Sequence, residues 1–144
     1  MARIIDIQKK SAQWMANFNA NVVKAIESNP KNVEMNRVQM FNSTDAYDKA
    51  LIHASTGSTN LTKAYAKRSH KTKPNLFLTG DFQRAMFIFM PNYKEYFMSS
   101  KDYKTAYLVK NYGKIFGISP TNQPKVQESN NALIVNDYLK NVLR

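Results

Sequence analysis

The positions of histidine, carboxylate and cysteine bound the chemistry open to this chain. Its 144 residues contain no cysteine, which excludes disulfides, thiolate catalysis and cysteine-based zinc sites. The two histidines, His53 and His70, have no partner at H-x-H or H-x-x-x-H spacing, so no metal motif is present. His70 lies in a basic run that disfavours its protonation and reads as a solvated loop residue. His53 reads as packed or exposed beside a short helix. Among the ten carboxylates, Asp45 and Asp48 form the nearest suggestive pair. At i, i+3 they read as a capping arrangement rather than an acid–base dyad. A Ser-His-Asp triad assembles in three dimensions and leaves no spacing signature, yet no G-x-S-x-G nucleophile turn occurs. Only four glycines are present, which argues against a phosphate-cradling loop. The expectation is a chain with no enzymatic activity, metal, cofactor or small-molecule substrate.

One constellation remains. Lys63, Lys67, Arg68, Lys71 and Lys73, with Tyr65 interleaved, form a basic run, and no acid occurs between Asp48 and Asp81. Lysines around an aromatic ring can neutralise phosphates and stack a base. The same run is also what a solvated loop, or a loop docked on an acidic protein, would carry. The whole chain has a net charge of +11 and a pI near 9.9. That points to anionic partners: nucleic acid, an acidic protein or an anionic surface. No reader motif for bases is visible, so any DNA contact is expected to be non-specific. No apolar run approaches membrane-span length, and MARIIDIQKK lacks the uninterrupted apolar stretch of a signal peptide, so a soluble, non-secreted chain is expected.

The elements that position these residues follow from periodicity. At this length residues 1–144 are expected to form one domain. Ile7, Trp14, Phe18, Val22 and Ile26 recur at helical spacing and predict one long helix over Ile4–Ser28, with Trp14 and Phe18 anchored against a sheet. Ser28-Asn29-Pro30 ends it. Asn32–Phe41 alternates roughly and predicts a strand, followed by a turn at Ser43–Asp45. A short helix over Ala46–Ala54 would carry Tyr47, Leu51 and Ile52 inward. Residues 55–75 read as a long basic loop.

Leu76–Gly117 holds the densest aromatic content and organises the rest. Thr79-Gly80-Asp81 is a turn, Phe82–Met90 a strand, Pro91-Asn92 a second turn and Tyr93–Ser99 the return strand of a central hairpin. Ser100 or Asp102 caps a helix over Tyr103–Asn111 that Gly113 stops. Ile115 and Phe116, between two glycines, make a hydrophobic plug. Residues 118–127, with Pro120 and Pro124, read as extended linker. Glu128–Arg144 is the last helix, with Leu133, Ile134, Tyr138, Leu139 and Val142 on its apolar face. The fold class is therefore α+β: a long N-terminal helix and C-terminal helices packed on a small antiparallel sheet with a central hairpin.

Thr79-Gly80-Asp81-Phe82, then Ser100, Asp102 and Lys104, then Tyr112-Gly113-Lys114-Ile115-Phe116-Gly117 carry a family likeness across residues 36–118. With them the chain resembles small virion proteins of the head-to-tail module of tailed bacteriophages, especially those infecting Bacteroides-type gut bacteria. It is similar as well to head–tail connector, neck and tail-completion proteins more broadly. Related chains often have a more acidic tail. The resemblance implies a structural protein made in the host bacterial cytoplasm. It would form a homo-oligomeric ring in the virion neck or tail beside portal or adjacent ring proteins. Phe82, Phe87, Phe89, Tyr93, Tyr96 and Phe97 of the hairpin are then the subunit-interface candidates. Gly80, Asp81, Tyr112, Gly113, Phe116 and Gly117 are the structural motif. The basic loop would face a DNA channel or an acidic partner. The alternative is a small cationic nucleic-acid-binding protein.

Overall fold

Asn17 divides what periodicity predicts as one helix. Its backbone leaves helical geometry (φ −101°, ψ 18°), so α1 spans Ile4–Ala16 and α2 spans Phe18–Ser28. Two asparagine side chains take up the disturbed carbonyls: Asn17 Nδ2 donates to Gln13 O at 3.2 Å and Asn21 Nδ2 to Trp14 O at 3.1 Å. Such side-chain bonds compete with the helical ladder and permit the break.

The computed structural model describes residues 3–61, 66–67, 73–74, 76 and 80–144. After α2 come α3 (Pro30–Phe41), α4 (Asp81–Arg84), β1 (Met86–Asn92), β2 (Glu95–Ser100), α5 (Thr105–Tyr112) and α6 (Gln123–Val142). The protein is α+β, with helices from both ends of the chain flanking one antiparallel hairpin.

The strand predicted over Asn32–Phe41 is a helix. Asn29 Oδ1 accepts from the Lys31 N–H and Pro30 occupies the first turn, which together nucleate α3. The buried side of α3 is largely amide: Asn32, Asn36 and Gln39 recur at i, i+4, i+7, interleaved with Val33 and Met40. Apolar periodicity cannot see such a face. Asn32 and Asn130 exchange two bonds, of 3.1 and 3.0 Å, which pin α3 to α6.

Asn36 and Gln39 bind the backbone of residues 115–119 much as a neighbouring strand would. Asn36 donates to Ile115 O and accepts from Gly117 N–H; Gln39 donates to Gly117 O and accepts from Ser119 N–H. Residues 118–127 are therefore not an extended linker. Ile118 and Ser119 are buried, and α6 begins at Gln123, ahead of the predicted Glu128.

Residues 46–54 form turns rather than a helix. Asp45 Oδ1 accepts from the N–H groups of Tyr47 and Lys49, and Thr44 pairs with Ala50 in a single bridge. Leu51 is buried as predicted, while Tyr47 and Ile52 are exposed. Phe82–Arg84, predicted as strand, belongs to the helical turn α4. Gly80 opens it at φ +84°, a left-handed conformation that glycine adopts without steric cost.

The main core joins Val33, Met40, Leu51, Phe82, Met86 and Ile115. A second cluster joins Met98, Ile118 and Val126, and Ile88 and Phe116 pack against both. Trp14 anchors on α6, not on the sheet. Its Nε1 donates to Asp137 Oδ2 at 2.9 Å and its ring meets Tyr138 edge-on, while Phe18 stays partly exposed.

Candidate functional site

The residues with potential chemistry are engaged in local structure. His53 Nδ1 lies 2.8 Å from Ser55 Oγ, a contact within one turn, and the ring packs edge-on against Tyr112. Asp45 holds its own turn. Asp48, at φ +61°, accepts from the N–H and hydroxyl of Thr121 at 3.0 and 2.8 Å. The Ser119 side chain first, and then the Thr121 backbone N–H, hold the Asp48 carboxyl below the usual carboxylate range. The two aspartates thus act as separate loop staples. Among the described residues no three His, Asp or Glu side chains gather as a metal site, and no helix is long and apolar enough to cross a membrane.

The hairpin gives the molecule its most distinctive surface. β1 and β2 pair antiparallel with Met86 opposite Ser100, Phe87 opposite Ser99, Ile88 opposite Met98 and Phe89 opposite Phe97. Register slips by one residue between Phe89 and Asn92, where Pro91 has no N–H to give the ladder. Successive strand side chains point to opposite faces. Met86, Ile88, Met90, Met98 and Ser100 face the core; Phe87, Phe89 and Phe97 face outward, 38%, 53% and 60% exposed. Lys101 Nζ sits 5.7 Å from the centre of the Phe87 ring.

Of the predicted interface residues, the outer face brings together Phe87, Phe89 and Phe97. Tyr93 lies apart at the turn, lining an open groove of about 730 Å³ against Val23, Lys24 and Glu27 of α2. Glu27 is already engaged there, accepting from the Met90 N–H at 2.8 Å. Tyr96 turns inward at its hydroxyl, which accepts from the Ile118 N–H at 3.3 Å. Phe82 is only 2% exposed and sits in the core beside Phe116, so it is withdrawn as an interface residue.

The motif residues hold the fold. Gly80 opens α4, Asp81 pairs with Arg84, and Gly113 (φ +72°) ends α5. Tyr112 and Phe116 pack on the core, and Gly117 is the residue clasped by Asn36 and Gln39. Of the basic run, Lys67 and Lys73 are exposed; Lys63, Arg68 and Lys71 lie outside the described residues, as do Tyr65 and His70. The chain matches no protein-family model, no curated protein and no solved structure.

Sequence reasoning missed a second apolar surface. On α6 and its C-cap residue Leu143, Ala132, Val135, Leu139 and Leu143 recur at i, i+3, i+7, i+11, and all four are exposed. The apolar face predicted for this helix splits. Val142 is buried, Ile134 and Tyr138 are half-buried, and Leu133 and Leu139 remain largely open. Ile4 and Ile5 of α1, which packs against the same helix, are 75% and 63% exposed. The signal was present as a second apolar stripe on a helix with one buried partner.

Proposed function

We propose that this chain is a structural virion protein that packs into a ring in the neck or tail of a tailed bacteriophage, as a head–tail connector or tail-completion component. The observation that carries the reading is the pair of unlike apolar faces, the Phe87/Phe89/Phe97 face of the hairpin and the Val135/Leu139/Leu143 stripe of α6. The hairpin end of α6 is marked by Val126, which packs with Met98; from there to Leu139 is about 20 Å at helical rise. Contiguous exposed apolar patches mark interaction surfaces. Two different patches on one subunit suit a heterologous contact, in which one face of each copy meets the other face of the next and the series closes as a ring.

The motif resemblance supplies the biological setting, with portal or adjacent ring proteins as neighbours and the virion as location. On this reading the protein works by packing and carries no catalysis. Light scattering on the purified protein at about 50 mM and about 200 mM salt tests it, because apolar assembly persists over a range that weakens phosphate-driven binding by orders of magnitude. A closed multimer at both salts is expected. A monomer at both salts contradicts the reading.

A further inference from the structure

Between Glu95 and Glu128 the sequence carries five lysines and one carboxylate, Asp102. This stretch contains α5, and its outward side combines ammonium groups with open aromatic rings. Leu108 and Tyr112 pack on the core, which turns Tyr107 and Lys110 to the opposite side of the helix. Residues three and four apart share a helix face. Tyr103 lies just before α5 and extends the same series, while Lys114 follows Gly113, where the backbone leaves helical geometry (φ +72°, ψ −120°), and is placed instead against the 44–50 turn, its carbonyl accepting from the Ala46 N–H. Tyr103 is 88% and Tyr107 62% exposed, the first being the most open large hydrophobic side chain among the described residues. Lys104 Nζ lies 5.5 Å from the centre of the Tyr103 ring, and Lys114 Nζ lies 5.0 Å from that of Tyr47.

None of these charges is neutralised by an ion pair. Among the described residues the ion pair present is Arg84 with Asp81, and Lys104, Lys110 and Lys114 have none. Asp102 is committed to the local turn, accepting from the Lys104 N–H at 2.8 Å. Lysine is depleted at the core of protein–protein interfaces, so an unpaired lysine set around open tyrosines fits a polyanion better than a second copy of this chain. Rings this exposed stack with bases only where the bases are free of a duplex.

We propose that the α5 side is a binding surface for single-stranded nucleic acid, with Lys104, Lys110 and Lys114 contacting phosphates and Tyr103 and Tyr107 stacking bases. This goes beyond the assembly reading and uses neither of its two faces. It also assigns the nucleic-acid contact to residues other than the basic run at 63–73.

The test is fluorescence anisotropy with an end-labelled oligothymidylate of about twelve nucleotides. A duplex of equal length and polyglutamate of matched charge serve as competitors. The wild type is expected to bind the single strand more tightly than the duplex. Its log affinity should fall with log salt at a slope of about −2, from three lysines at about 0.7 each. Tyr103→Ala and Tyr107→Ala should each weaken binding by at least about fivefold, and Lys104→Gln/Lys110→Gln/Lys114→Gln should flatten the salt slope. Circular dichroism should show unchanged folding for all of them.

A variant neutralising Lys63, Lys67, Arg68, Lys71 and Lys73 should retain the tyrosine dependence. Absence of single-strand binding at about 50 mM salt overturns the proposal. So does binding that the α5 substitutions leave unchanged, or that polyglutamate displaces as well as DNA does. A multimer that ignores the oligonucleotide overturns this proposal alone and leaves the assembly reading standing.

Discussion

Gln39 Nε2 donates to the carbonyl of Gly117 at 2.8 Å, and through this bond a helix read from sequence as a strand grips the YGKIFG segment. The neighbouring Asn36 completes the clasp by serving Ile115 O and Gly117 N–H at 2.9 and 3.2 Å. Buried backbone groups need partners, and here two amide side chains supply them where no sheet does. Asn36→Ala leaves a buried carbonyl and N–H unsatisfied, at about 1–3 kcal/mol each before relaxation. Urea unfolding is expected to show a loss of about 2–4 kcal/mol. A loss below about 0.5 kcal/mol would mean the clasp is ornamental.

Gly117 sits in a tighter place than Gly113. Its φ is +130°, and a Cβ there would meet Ala46 Cβ at 3.1 Å; Gly113, at φ +72°, faces open space. Gly117→Ala should therefore destabilise more than Gly113→Ala, by about 2–3 kcal/mol against about 1 kcal/mol. Thermal melts of the two variants compare them directly, and the reverse order would refute the assignment.

Asp48 staples the 45–48 turn to the start of the α6 approach. Its depressed pKa means the bound carboxylate contributes stability that is present above the ordinary Asp value of about 3.9 and lost as pH falls through the lower folded value. The stability difference between wild type and Asp48→Asn should be present at neutral pH and shrink below about pH 4. Equal differences at neutral and strongly acid pH would place the effect elsewhere.

Trp14 is the single tryptophan and locks α1 to α6 through Asp137 and Tyr138. Trp14→Ala is expected to cost about 3–5 kcal/mol, and Trp14→Phe less, because the ring volume is largely kept while the N–H is lost. Denaturant midpoints followed by far-UV circular dichroism give both values.

What could be read from the sequence follows the chemistry of each buried face. The hairpin is legible from its unbroken apolar run over residues 85–90, but its turn lies at Tyr93-Lys94 and not at the predicted Pro91-Asn92, which belong to β1. The end of α5 at Gly113 and the plug at Ile115 are legible as well, since glycine and apolar residues have few alternative uses there. α3 is not, because its inward face is Asn32, Asn36 and Gln39, residue types that hydropathy assigns to solvent. The division at Asn17 depends on two asparagine side chains finding carbonyls, which spacing alone does not reveal. Phe82 has the composition of an interface residue and the position of a core one; only the turn at Gly80 decides between them. The second stripe on α6 shares Leu139 with the predicted apolar face, and periodicity alone does not say which of two apolar faces a helix buries.

The central claim is that two unlike faces of this chain meet each other, and complementing two variants tests it most directly. Phe89→Asp/Phe97→Asp disables the hairpin face, and Val135→Asp/Leu139→Asp disables the α6 stripe; all four positions are exposed, so folding is expected to survive. The masses are measured by light scattering, separately and as an equimolar mixture. The account predicts a multimer for the wild type, monomers for each variant alone, and dimers in the mixture, where each partner contributes its one intact face. A stripe variant that assembles on its own like the wild type, or a mixture that stays monomeric, would contradict it.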